Sequence, residues 1–303
     1  MSFDIKHLTA FISVARGGSL GRAAHALNIT QPALSRTIRR LEDQVGAPLF
    51  ERYTTGMVLT PAGQALLPHA ESLQHEAELA IETINELRGL TRGTIRVGAV
   101  ASVISQLLPM AIARVLERWP RLQIEMAEGV GDILSGALLR HEIDLVISTE
   151  LPPHPDIQRF SELFWHDTNT IVAASNHSLR QQPRLHMADI AQEKWVIPPR
   201  GTAPYQELHA LFTQYQLSAP DIVVETRSIT ACKALVAHAG FLSWMPIPMY
   251  SPEQQAGLVA PLEVEGSRQH RQLFVFHRKQ GILPPPALKL LEALRSFPAE
   301  VPT

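Results

Sequence analysis

The chain has 303 residues, is 45% hydrophobic and carries a formal net charge of −2. That length holds two or three compact units. No apolar run is long enough to span a bilayer, the N-terminus lacks a basic segment followed by a hydrophobic core, and a single cysteine, Cys232, rules out an intramolecular disulfide. A membrane protein and an exported, disulfide-stapled one are both set aside, and a cytoplasmic protein is expected.

Charge is unevenly placed. Residues 1–60 hold seven Lys/Arg against four Asp/Glu, a net +3, while the remainder nets −5. A cationic N-terminal segment is what sequence-independent attraction to phosphate requires.

Leu8, Phe11, Ile12 and Ala15 recur at helical spacing, so residues 4–16 form a helix closed by Gly17 and Gly18. Ser19 caps a second helix with Leu20, Ala23, Ala24 and Leu27 on one face. Asn28-Ile29-Thr30 turns the chain, and Thr30 caps a third helix whose first turn tolerates Pro32. There Leu34, Ile38, Leu41 and Val45 form the inward stripe, while Pro32, Arg36, Arg39 and Asp43 point away, flanked by Ser35 and Arg40. Two short helices on a tight turn, the second cationic outside, read as a helix-turn-helix. Gln31, Pro32, Ser35, Arg36 and Arg39 are the residues expected in a DNA major groove, where phosphates take cations and base edges take polar forks. An ordinary solvated face would explain one such helix by itself; the helices before it decide otherwise. Gly46 stops the third helix, and Pro48 to Thr60 folds back as a two-stranded wing that sets Arg52 and Thr54 near the DNA backbone or minor groove.

Thr60-Pro61 opens a long helix. Leu66, Ala70, Leu73, Ala77, Ala80, Ile84 and Leu87 alternate spacings of 4 and 3, the seam of helices packed side by side, with Pro68 as an early bend. The alternative is an amphipathic helix lying on its own domain; the length and strict seam favour a partner chain. Arg88 to Gly93 forms a hinge. Beyond it, strands alternate with helices: TIRVGAV, a helix over Ile104–Trp119, LQIEMAE, a helix over Gly131–His141, and DLVIST. A second set follows: TIVAAS, WVIPP, a helix near Pro204–Gln216, DIVVE, a helix near Ile229–Ala239, FLSWMP, then RQLFVFHR and a closing helix over Pro285–Ser296. This alternation predicts a parallel sheet covered by helices.

Ligands of such sheets bind beyond the carboxyl ends of strands, where helix starts favour anions. Ser102, Ser148-Thr149, Arg200-Gly201-Thr202 and Ser228 stand at such turns, and Arg200 is suited to clamp a carboxylate. A Ser or Thr at a strand-to-helix turn is more often a cap than a ligand contact; convergence on one cleft is the argument for these. Trp244 and Phe164 are candidates for apolar walls of the cleft, with core packing the favoured reading for both, and Cys232 is read as an inert buried thiol. The 13 histidines form no HExxH, and the chain has no GxSxG and no Walker loop. EGVGDILSG lacks the third glycine of a dinucleotide fingerprint. Neither an enzyme nor a cofactor is called for. The alternative is a small-molecule-binding protein or α/β enzyme without DNA regulation.

The run AAHALNITQPALSRTIRRLEDQVGAPLFER, followed by LTPAG, resembles the N-terminal domain of the LysR-type transcriptional regulators, closely over residues 4–90. The resemblance implies an α plus α/β architecture: a winged helix-turn-helix over 1–60, a dimerising linker helix and hinge over 61–92, and a two-lobed, periplasmic-binding-protein-like effector domain over 93–303. Lobe I would take 93–162 and 268–303, and lobe II 163–267. It also implies a small, anionic organic effector between the lobes, touching Ser102, Ser148, Thr149, Arg200 and Thr202. The implied partners are double-stranded promoter DNA, a second copy through the linker helix, a homotetramer through effector domains, and RNA polymerase.

Overall fold

The computed structural model describes residues 3–53, 56–87 and 93–299. The chain divides into two compact units. One gathers the described part of residues 1–92 with 139–142 and 280–285, and the other the described part of 93–138, 143–279 and 286–303.

The first unit is built on three helices, α1 Ile5–Gly17, α2 Leu20–Ala26 and α3 Gln31–Val45. Asp4 caps α1 by accepting from the Lys6 amide at 2.9 Å, and Gly18 closes it at φ 61°, a left-handed conformation that costs glycine little. Ser19 occupies the cap position of α2 but makes no side-chain cap bond, so that expectation fails at the level of the hydrogen bond. Thr30 does cap α3, accepting from the Ala33 amide at 3.4 Å. Phe11, Leu34, Ile38, Leu41 and Leu49 are buried in one cluster, with the Phe11 and Phe50 rings 5.3 Å apart. Strands β1 Phe50–Tyr53 and β2 Gly56–Leu59 pair antiparallel as the wing. The wing is seated at both ends: Met57 donates to the Gly18 carbonyl at 2.9 Å, and Glu42 Oε1 accepts from the Leu49 amide at 2.9 Å.

Helix α4, Pro61–Leu87, starts on Thr60, whose Oγ1 accepts from the Gly63 amide at 3.0 Å and donates to the Pro48 carbonyl at 2.7 Å. Gly63 lies so close to the Leu49 carbonyl that a Cβ would collide with it. Pro68 is inside the helix, as expected. The predicted seam splits into two parts. Leu66 and Ala70 pack against the three-helix core, whereas Leu73 and Ile84 are 46% and 53% exposed. Arg16 of α1 ties the same helix through Glu71 at 3.0 Å. The Leu87 side chain and hinge residues 88–92 lie outside the described residues, and Gly93 opens a strand rather than ending the hinge.

The second unit contains a mixed seven-stranded sheet. Strands β3 Gly93–Ala99, β4 Leu122–Glu128 and β5 Leu145–Ser148 are parallel, separated by helices α5 Leu108–Arg118 and α6 Gly131–Leu139. The expected continuation in parallel does not occur. No helix intervenes between β5 and the 18-residue strand β6, Ile157–Ala174, and a parallel neighbour needs a long crossover. β6 is rich in β-branched and aromatic residues and pairs antiparallel along most of its length with β11, Gln269–Arg278. TIVAAS is therefore only the end of a longer strand. The sheet runs β10-β6-β11-β5-β3-β4, with β9 also on β6.

Beyond β6 come β7 Lys194–Ile197, α7 Ala203–Gln214, β8 Asp221–Glu225, α8 Ile229–Ala239 and β9 Ser243–Pro246, followed by α9 Ile247–Gln255, β10 Val259–Leu262, then β11 and α10 Pro285–Arg295. β7 and β8 form a separate parallel pair. α9 and β10 have no counterpart among the expected elements, and IPMYSPEQQ forms a helix despite its two prolines. Pro248 sits harmlessly in the first turn, and Pro252 withholds only the amide that would reach the Pro248 carbonyl; Ser251 Oγ donates to the Ile247 carbonyl at 3.0 Å in the same turn. Tyr250, fully buried, anchors the helix through Thr170 at 2.8 Å. No helix among the described residues is long and apolar enough to cross a membrane.

Candidate nucleic-acid interface and ligand cleft

In the first unit the outer face of α3 presents Gln31, Pro32, Arg36, Arg39 and Arg40 to solvent. None of these three arginines has an acidic partner among the described residues. Their charge therefore stays available to a phosphate or a base edge, which an internal ion pair would have consumed. Ser35 and Arg52 come together: Arg52 Nη2 donates to Ser35 Oγ at 3.2 Å, joining the wing to the helix. Thr54 lies outside the described residues. The helix N-terminus adds unpaired amides and positive dipole beside this cationic row.

In the second unit a cleft of about 430 Å³ opens at the carboxyl ends of β3 and β5 and beside the start of α7. Ser102, Ser148, Thr149 and Thr202 line it, as expected. Arg200 and Ser228 do not. Arg200 is exposed and turns to Glu225, with Nε 3.4 Å from a carboxylate oxygen. Ser228 is spent as the cap of α8, accepting from the Ala231 amide at 3.3 Å. Ser102 also differs from its expected role. It is already helical, at φ −61° and ψ −37°, and makes no cap bond. Its helix passes through a wide turn, Val103–Leu107, before α5, and the Leu108 amide reaches back to the Val103 carbonyl. Pro109 explains the turn, since it has no N–H to continue the regular ladder. Thr202 Oγ1 donates to the Pro199 carbonyl at 2.7 Å, which leaves its lone pairs facing outward as acceptors.

The cleft floor is made by residues that the sequence reading missed. Arg271 of β11 lies opposite Asp167 of β6 in the ladder and holds it in a two-pronged pair, Nε to Oδ1 at 2.8 Å and Nη2 to Oδ2 at 2.6 Å. The Asp167 side chain is fully buried, and Arg271 Nη2 also lies 3.4 Å from Ser102 Oγ. Two residues along β6, Asn169 Nδ2 donates to Glu207 Oε2 at 2.8 Å, and Trp244 Nε1 donates to the same oxygen at 3.4 Å. The sequence signal was a polar run, HDTNT, set between the apolar LFW and IVAA of the same strand, and its meaning depends on register. Trp244 is buried and lines the cleft, while Phe164, expected in the core, is 40% exposed. Cys232 is buried in the cleft wall, and burial pushes its thiol pKa upward, away from the reactive thiolate.

With that geometry described, comparison with known proteins places the chain. Residues 5–64 match the bacterial regulatory helix-turn-helix protein family, lysR type, and residues 88–298 match the LysR substrate binding domain. The chain is similar to the HTH-type transcriptional regulator TdcA of Escherichia coli (strain K12), 30% identical over 251 residues, 82% of this chain and 78% of the relative. It is similar to the RuBisCO operon transcriptional regulator of Allochromatium vinosum, 27% identical over 287 residues, 95% and 94% of the two chains. Among solved structures it resembles CbnR, a LysR family transcriptional regulator, with a TM-score of 0.70 at 23% identity, covering 97% of this chain and 98% of that one. Full-length CbnR complexed with its target DNA gives 0.69 at 24%, covering 97% and 99%. These relatives are transcriptional regulators, and the chain belongs to the LysR family of DNA-binding transcriptional regulators.

Proposed function

We propose that this regulator reads promoter DNA through the exposed face of α3 and that a small organic effector in the cleft modulates that binding. The observation that carries the DNA part is the row Arg36, Arg39 and Arg40, exposed and without acidic partners among the described residues, beside an Arg52 tethered to Ser35. Gln31, Ser35, Arg36 and Arg39 face base edges, Pro32 sets the start of the helix against the groove, and Arg52 with Thr54 meets the backbone from the wing. Leu73 and Ile84, exposed along a helix of 27 residues, favour pairing of α4 with a second copy, so that two recognition helices enter successive major grooves. Two such dimers joined through their effector domains form the tetramer, which works in the cytoplasm alongside RNA polymerase. Ser102, Ser148, Thr149 and Thr202 hold the effector, whose anionic end meets the helix starts; Arg200 and Ser228 lie outside the cleft lining.

The test is fluorescence anisotropy with a labelled duplex from upstream of the protein's own coding sequence, competed by unrelated duplex. Arg36→Ala and Arg39→Ala each weaken specific binding by about 1–3 kcal/mol, and Thr202→Val leaves it intact while removing the response to effector. Unchanged duplex affinity in both arginine variants would overturn the α3 assignment.

A further inference from the structure

Resting on the reading of the cleft as the effector site, we infer that its ligand is a small zwitterion of the amino-acid class, with an N–H donor group seated on Asn169. Three observations converge on this. Asn169 is 1% exposed and lines the cleft, and the bond from its Nδ2 to Glu207 fixes the orientation of its amide. Its Oδ1 has no hydrogen-bond partner among the described residues. A buried acceptor without a partner is costly to maintain, and a donor brought by a ligand satisfies it.

Charge gives the second observation. Glu128, Asp132 and Glu150 line the cleft against Arg227 and Arg271, and Arg271 is already neutralised by Asp167. The uncommitted balance is acidic, which repels a simple dicarboxylate and draws an ammonium group. The third observation concerns the opposite pole. The helix starts at Ala101-Ser102 and Thr202-Ala203 border the same space, and their free amides together with the Ser102 hydroxyl can donate to a carboxylate. A carboxylate at the helix starts, an ammonium toward Asn169 and the acidic rim, and a side chain against Trp244 and Met245 account for all three.

The experiment measures the melting temperature of the full chain with matched sets of ligands. Each set contains one of the standard L-amino acids, its carboxylic acid lacking the amine, and its amine lacking the carboxylate. At least one amino acid raises the melting temperature, and its two partial analogues do not. Asn169→Leu weakens that response by about tenfold or more, because the ligand's N–H donor would then be buried without an acceptor. Glu150→Gln, on the exposed rim where misfolding is not at issue, weakens it less and in the same direction. A carboxylic acid that works as well as its amino acid would overturn the donor requirement, and a panel without any response would overturn the amino-acid class. A response that survives Ala203→Trp, which fills the cleft mouth, would instead overturn the cleft as the effector site.

Discussion

The two units handle polar groups in opposite ways. In the first, the functional groups are exposed cations on one short helix, each within a few residues of the others in sequence, and the apolar core beneath them carries the stability. In the second, the polar groups of the cleft floor are buried and mostly paired, and they come from residues as distant as Ser102, Asp167 and Arg271. An exposed face tolerates truncation, and its energy appears only when a partner binds. A buried polar floor carries both stability and specificity, so substitutions there affect both. The sharpest separation is expected from Asp167→Ala. It leaves the Arg271 guanidinium, 14% exposed, without its counter-charge, and loss of one partner from a buried pair costs about 3–5 kcal/mol. Hydrogen exchange of peptides from β6 and β11 would rise while α3 keeps its protection. Equal loosening of α3 would break the separation between the units.

The next largest effect belongs to the first unit. Gly63→Ala drives a methyl group against the Leu49 carbonyl and the Leu59 side chain. Backbone must give way there, at a cost of about 1–3 kcal/mol. Thermal unfolding followed by loss of duplex binding reports it, with β6 and β11 unaffected. A variant as stable as the parent would mean that the junction of wing and linker helix is looser than its packing indicates.

How much of each unit could be read in the sequence follows from the same contrast. Helices α1 to α3, the wing and α4 are set by local signals: apolar residues at helical spacing, Thr30 and Thr60 as caps, Gly18 and Gly46 as stops. Ser102, Thr149 and Thr202 were also legible, since strand-to-helix turns point to the carboxyl edge of a sheet. Asp167, Asn169 and Arg271 were not. Nothing local shows that Arg271 faces Asp167 across a ladder, because that register is fixed only once β6 and β11 pair along their length. Arg200 and Ser228 fall outside the cleft lining for a related reason: Glu225, at the end of the neighbouring strand β8, and the Ala231 amide, one turn into α8, take up their polar groups.

Arg52→Ala gives a smaller effect that sharpens the account of the exposed face. Its guanidinium bonds Ser35 but has no carboxylate partner among the described residues, so its charge remains for phosphate. Binding to specific and unrelated duplexes should fall together, and the slope of log affinity against log salt should flatten by about one unit. Loss confined to the specific duplex would move Arg52 from backbone contact to base reading.

The smallest effect concerns protons in the second unit. His277 of β11 stacks on Phe160 with ring centroids 4.4 Å apart, and burial holds its pKa below the usual 6.5. The folded chain therefore favours the neutral ring, while the unfolded chain takes up a proton once the pH falls below about 6.5. Stability of the second unit should be unaffected by this residue above that point and should decline as the pH drops from 6.5 toward the lowered folded value. Denaturant midpoints at pH 7.5 and 5.5 measure the decline, and His277→Phe, which keeps the stacking surface without a proton site, should remove the His277 share of it. A decline of equal size in that variant would assign the proton uptake to another group.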